Sequence, residues 1–135
     1  MATTAAQSVG REAERLAEKY LLAQGLELVE RNFLCRHGEI DLIMLQQGTL
    51  IFVEVRRRRS SRFARAAATV DRHKQDKLVR AAGIYLGRRR QFRNHTTRFD
   101  VLAIDDSGTD SSASIGGEIT IQWLPDAFRP GSSRY

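Results

Sequence analysis

Four side chains in the first half of the sequence have types and spacing that could carry chemistry: Glu39 and Asp41 in Gly38-Glu39-Ile40-Asp41-Leu42-Ile43, and Glu54 and Arg56 in Phe52-Val53-Glu54-Val55-Arg56. Both blocks read as strands, Ile40–Leu45 and Leu50–Val55, with Gln46-Gln47-Gly48-Thr49 as a short turn between them. With Gln47-Gly48 at the tip of a hairpin, Leu45 faces Leu50, Asp41 faces Glu54 and Glu39 faces Arg56. Two carboxylates directly opposed across a ladder repel one another and need a compensating cation. Mg²⁺, or Mn²⁺ in its place, fits because hard divalent ions take oxygen ligands from one or two carboxylates, water and a substrate phosphate. The same spacing also suits a lattice of ion pairs without a metal, Glu39 with Arg56, and Asp41 and Glu54 reaching Arg56 and Arg58. Ile40, Leu42, Ile51, Val53 and Val55 on the other hairpin face suit a core, and their burial would fix the register.

The elements around this hairpin follow from periodicity. Ala13, Leu16, Ala17, Tyr20 and Leu21 repeat at helical spacing within Val9–Gln24, and Gly25 is a plausible stop. At 100° per residue Glu14 lies beside that stripe and could reach the sheet edge, whereas Glu12 and Glu18 point further toward solvent. A strand is expected near Leu26–Leu34. A second helix is expected over Asp71–Leu86, capped by Asp71 and buried along Leu78, Ala81, Ala82 and Tyr85. Lys74 falls on its inner side, either as a catalytic cation or as a lysine snorkelling over the core edge. Strands near Phe99–Ile104 and Glu118–Trp123 complete the order α-β-β-β-α-β-β, an α/β fold with a mixed β-sheet flanked by helices. One domain over 10–128 is expected, with a flexible start at 1–9, a mobile polar loop at 107–117 and a tail at 129–135.

Charge is segregated along the chain. Residues 1–55 carry 5 Lys/Arg against 8 Asp/Glu, residues 56–98 carry 15 against 2, and residues 99–135 carry 2 against 6. Arginines outnumber lysines 19 to 3, and the planar guanidinium suits bidentate contact with phosphate. Such a block of positive charge marks a surface for a polyanion, with Arg57, Arg58, Arg59, Arg62 and Arg65 on a basic arm running from Arg56 to Thr69, and Lys74 on the helix after it, as candidate nucleic-acid contacts. Cys35 is the only cysteine, which excludes an intrachain disulfide and a thiolate cluster. No run approaches the ~18 apolar residues of a membrane span, and the opening residues have no signal-peptide pattern. Residence in the cytoplasm, without a membrane partner, is the expectation.

The motifs also resemble a known group. Gly10, Glu14 to Ala17, Tyr20-Leu21, Gly25, Asn32-Phe33, the Gly38–Ile43 and Phe52–Arg56 blocks, Lys74, Tyr85-Leu86, Arg98-Phe99-Asp100-Val101 and Ala127-Phe128 look like the YraN-type family of small predicted endonucleases. That family is similar to the PD-(D/E)xK nucleases and, within them, to archaeal Holliday-junction resolvases. The resemblance covers about Gly10–Phe128. It implies a restriction-endonuclease-like core, a divalent cation held by Glu14, Asp41 and Glu54 with the Val55 carbonyl as a further ligand, and hydrolysis of DNA phosphodiesters, with branched DNA as one substrate. Junction cleavage would favour a homodimer.

The pattern departs at Arg56, where the superfamily carries lysine. Arginine can offset charge in the transition state but hardly takes up a proton. A metal-dependent endonuclease with Glu14, Asp41, Glu54 and Arg56 as catalytic residues is the expected function. A nucleic-acid-binding module with a degenerate site, and an interaction protein docking an acidic partner, are the alternatives. Asp100 reads either as an outer acid of the site or as an ion-pair partner for the basic segment.

Overall fold

The structure, a computed structural model, describes residues 5–58, 70–105 and 119–130. Arg59, Arg62 and Arg65 of the expected basic arm, the loop at 107–117, Glu118 and residues 131–135 of the tail lie outside the described residues. In chain order the elements are α1 (Ala5–Ala23), β1 (Glu27–Cys35), β2 (Gly38–Gln46), β3 (Thr49–Arg58), α2 (Arg72–Arg88), a short 3-10 turn (Arg90–Phe92), β4 (Thr96–Asp105) and β5 (Thr120–Phe128). This is the expected order. Among the described residues the strands form one mixed sheet in the order β1-β2-β3-β4-β5. Every neighbouring pair is antiparallel except β3 and β4. Parallel neighbours need a long return connection, and α2 lies in that crossover.

The two helices cover opposite faces. Ala13, Ala17 and Leu21 of α1 pack with Leu42, Met44, Ile51, Val53, Leu102 and Ile104. Leu78, Ala81, Ala82 and Tyr85 of α2 pack with Ile43, Leu50, Phe52, Phe99 and Val101. Tyr85 stands edge-on to Phe33 and Phe52 at 5.0 and 6.1 Å between ring centres. With both faces buried, the central strands are apolar on either side.

Local chemistry sets the ends of these elements. Gly25 has φ +94°, and its N–H donates to Leu22 O while Leu26 N–H donates to Leu21 O. These two bonds close α1 in a Schellman motif, with Leu21 and Leu26 meeting in the core beneath it. Gln47 and Gly48 have φ of 49° and 80°, the two positive values of a tight hairpin turn whose twist matches the flanking strands. Asp71 caps α2 by accepting from Lys74 N–H at 2.8 Å.

Several boundaries differ from expectation. α1 starts at Ala5 rather than Val9, and Arg56, Arg57 and Arg58 belong to β3 rather than to an arm. β5 runs through Pro125 to Phe128 instead of stopping at Trp123. Ile40 joins the α2 side instead of sharing a face with Leu42. The pleat is interrupted at Asp41, because the β2–β3 ladder ends at Leu42↔Val53 and the residue across β1, Asn32, has φ +51°. Glu18, expected toward solvent, is half-buried and accepts Arg31 Nη2 at 2.9 Å.

Candidate metal centre

The interruption at Asp41 makes the site. The register Leu45↔Leu50 is as expected, but the ladder stops one pair short of Asp41 and Glu54. Freed from pairing, the Asp41 carboxylate accepts the Val55 N–H at Oδ2, at 2.8 Å. It remains close to Glu54. Burial first, then the Glu54 charge, a hydrogen bond shared with Glu54 and the more distant Glu14 charge push the Asp41 carboxyl up to about 8, against the Val55 N–H that favours its ionised form.

Glu14 reaches the sheet from α1, as its helical position predicts. Carboxylate oxygens of Glu14, Glu39 and Asp41 lie within 4.8 Å of one another, and all three residues are half-buried. Glu39 therefore does not sit opposite Arg56 in a ladder pair. The ladder ends before it, and Glu39 pairs with Leu34 on β1. Three carboxylate oxygens at this separation form an all-oxygen donor set that fits a hard divalent cation such as Mg²⁺ or Mn²⁺.

Asn32 organises this cluster; in the sequence it stands out only within the Asn32-Phe33 motif, with no role attached. Its Nδ2 donates to Glu14 Oε1 at 2.6 Å and to Glu39 Oε1 at 3.2 Å, while its Oδ1 accepts from Arg11 Nη1 at 3.2 Å. Its left-handed backbone is one that asparagine tolerates better than most residues. A polar, αL-tolerant residue inside a strand between Glu14 and the Glu39-Asp41 block was the available signal.

Glu54 is buried, and on its α2 side Lys74 Nζ approaches Glu54 Oε2 to 3.5 Å. The Asp71 cap fixes the first turn of α2 and so the position from which Lys74 reaches the sheet. Arg56 and Arg57 are half-buried on β3, where Arg56 lies across from Ala103 of β4. Val55 meets Asp41 through its N–H, and Arg58 ends β3. Asp100 is buried on β4 and is the ion-pair partner of Arg98. Its Oδ1 takes Arg98 Nε at 3.0 Å and Asp126 N–H at 2.9 Å, and its Oδ2 takes Arg98 Nη2 at 3.2 Å and Trp123 Nε1 at 2.9 Å.

Fold and site together define an α/β protein with a mixed five-stranded sheet between two helices and a cluster of acidic side chains where the β2–β3 ladder ends. The sequence pattern of the Uncharacterised protein family UPF0102 matches residues 13–104. The chain belongs to that family. It is 43% identical over 122 residues to a UPF0102 protein of Alcanivorax borkumensis, an alignment covering 90% of this chain and 92% of that one. It is also 46% identical over 121 residues to a UPF0102 protein of Nitrosococcus oceani, covering 89% and 90%, and 42% identical over 128 residues to one of Pseudomonas savastanoi, covering 95% and 98%. No helix among the described residues is long and apolar enough to cross a membrane.

Proposed function

We propose that this protein is a metal-dependent endonuclease that hydrolyses DNA phosphodiester bonds. The observation that carries the reading is the meeting of Glu14, Glu39 and Asp41 from α1 and β2, next to the Glu54–Lys74 pair. A divalent cation held there would polarise the phosphate and lower the pKa of an attacking water. The chain's own groups account for the rest. Glu14 and Glu39, steadied by Asn32, and Asp41, steadied by Val55 N–H, present fixed oxygens. The Asp41 carboxyl would yield its proton on binding a cation, which links occupancy to pH. Glu54 and Lys74 form an acid–base pair at the edge of the cluster, where Lys74 can orient water and offset charge on the phosphoryl oxygens. Lys74 thereby supplies from α2 the lysine that β3 lacks at Arg56.

The test is a cleavage panel of linear, flapped and four-way DNA with Mg²⁺ or Mn²⁺. Lys74→Ala should slow cleavage by at least about 100-fold, the usual contribution of a positioned acid–base group, with DNA affinity changed much less. Arg56→Lys should keep affinity and retain or raise the rate, whereas Arg56→Ala should lower it. DNA binding by every variant with no cutting by any, wild type included, would leave the second reading, a nucleic-acid-binding module with a degenerate site. Arg56 in the superfamily's lysine position is the specific observation that favours it.

The basic block makes its own prediction. Replacing Arg57, Arg58, Arg59 and Arg62 by Ala should weaken DNA binding across sequences. The slope of log K against log salt should fall by up to about 3–4 if each arginine neutralises one phosphate. An unchanged slope would place the binding face elsewhere.

A further inference from the structure

A second basic surface lies on α2, in the groove between that helix and the turn joining β1 to β2. It encloses about 410 Å³ and is lined by Arg36, His37, His73, Asp76, Lys77 and Arg80. His73, Lys77 and Arg80 follow one another at i, i+4 and i+7, so they form a single stripe along the helix. Arg36 faces them from the turn. Among the described residues its charge is not neutralised, since its partner is the ring of His37, whose Nε2 accepts from Arg36 Nε at 3.3 Å. Asp76, the acid of the groove, is engaged by Arg72 at 3.5 Å. Lys77 and Arg80 are exposed and have no acidic partner among the described residues.

Three like charges gathered around one concavity repel one another, a cost that a bound anion removes. The groove and the acidic residues share elements, α2 through Lys74 and the β1–β2 turn through the start of β2. Gly38 on the turn immediately precedes Glu39, and His73 on the helix immediately precedes Lys74, whose Nζ meets Glu54. We infer that this groove carries the phosphate backbone of the nucleic-acid strand next to the scissile position, with Arg36, Lys77 and Arg80 on successive phosphates. This assignment rests on the nuclease reading for the strand's destination. The binding it describes needs neither the cation nor cleavage.

The experiment measures fluorescence anisotropy of a labelled DNA oligonucleotide across a salt series, with EDTA present so that no cutting occurs. Lys77→Ala/Arg80→Ala replaces exposed helical side chains by the best helix former, so circular dichroism and thermal unfolding should match wild type. Affinity should fall about 10-fold near physiological salt, and the slope of log K against log salt should fall by about 2. Arg15→Ala/Lys19→Ala, on α1 at the opposite face of the sheet, removes the same net charge and should change both quantities far less. Equal losses in the two variants would overturn the inference, because the effect would be one of net charge alone. An unchanged slope in Lys77→Ala/Arg80→Ala would overturn it too. Displacement of the DNA by polyglutamate as readily as by unlabelled DNA would assign the groove to an acidic protein instead. Loss of cleavage in the metal-loaded wild type, with these binding results intact, would count against the nuclease reading and leave the groove assignment standing.

Discussion

Asp41→Asn is expected to make the metal-free protein more stable at pH 7 while abolishing its response to divalent cations. The Asp41 carboxyl is held at about 8 in the folded chain, against an ordinary value of 3.8. The folded state therefore keeps this proton where the unfolded chain has lost it. The stability it contributes is present in full below about pH 4 and is lost as pH rises through about 8. Asparagine accepts the Val55 N–H through its amide oxygen and is neutral in the folded and unfolded chain alike, so folding at pH 7 no longer requires the uptake of a proton. A gain of about 1–3 kcal/mol at pH 7 is expected in urea unfolding with EDTA, with a flatter pH dependence between 4 and 8. Calorimetric titration with Mn²⁺ should show a site in wild type and little or none in Asp41→Asn. DNA cleavage should drop by at least about 100-fold, since even outer partners of metal ligands cost 10–100-fold. Equal Mn²⁺ heats from both proteins, or a variant less stable than wild type in EDTA, would dispose of the carboxylate centre.

The largest stability loss is expected at Asp100. Its two oxygens take four hydrogen bonds, from Arg98, Trp123 Nε1 and the Asp126 N–H. Asp100→Ala would leave the Arg98 guanidinium and the Trp123 and Asp126 N–H groups without their acceptor, a loss of about 3–5 kcal/mol. Asp100→Asn should also destabilise, because an amide NH₂ would confront donors where one oxygen now accepts. Trp123 gives the loss a signature, as its fluorescence should shift toward that of a solvated indole before the global transition. A cost below about 1 kcal/mol would show that β5 is held by its ladder alone. At low temperature, where the variant is folded, Mn²⁺ binding should be preserved, because the contacts of Asp100 run to Arg98 and β5 rather than to the acidic cluster.

Periodicity and turn chemistry made much of this molecule legible beforehand. The stripe Ala13, Ala17 and Leu21, the stop at Gly25, the hairpin tip at Gln47-Gly48, the Asp71 cap and the buried line Leu78, Ala81, Ala82 and Tyr85 are local matters. Each depends on residues a few positions apart, and each is found in the structure. The register Leu45↔Leu50 followed from the turn, and the placement of Glu14 beside the sheet from the helical angle. What the sequence by itself determined, then, was the order of elements, the mixed sheet and the two acids Glu14 and Asp41 of the cluster.

Tertiary structure decided where regularity ends. Extrapolating the hairpin pairing put Glu39 opposite Arg56 and Ile40 on the face of Leu42. The left-handed Asn32 on β1 and the end of the ladder at Leu42↔Val53 sent Glu39 to Asp41 and Ile40 to the α2 side. Pro125 argued for ending β5 at Trp123, yet the strand continues to Phe128. The Asp126 N–H there is satisfied by Asp100, and Phe128 stacks on Phe99 at 4.9 Å. Lys74 could be placed on the inner side of its helix from sequence, but its approach to Glu54 depends on how α2 docks on the sheet. Each of these outcomes depends on residues of different elements, whose meeting is fixed by packing and by satisfaction of buried polar groups, and local pattern carries no information about either.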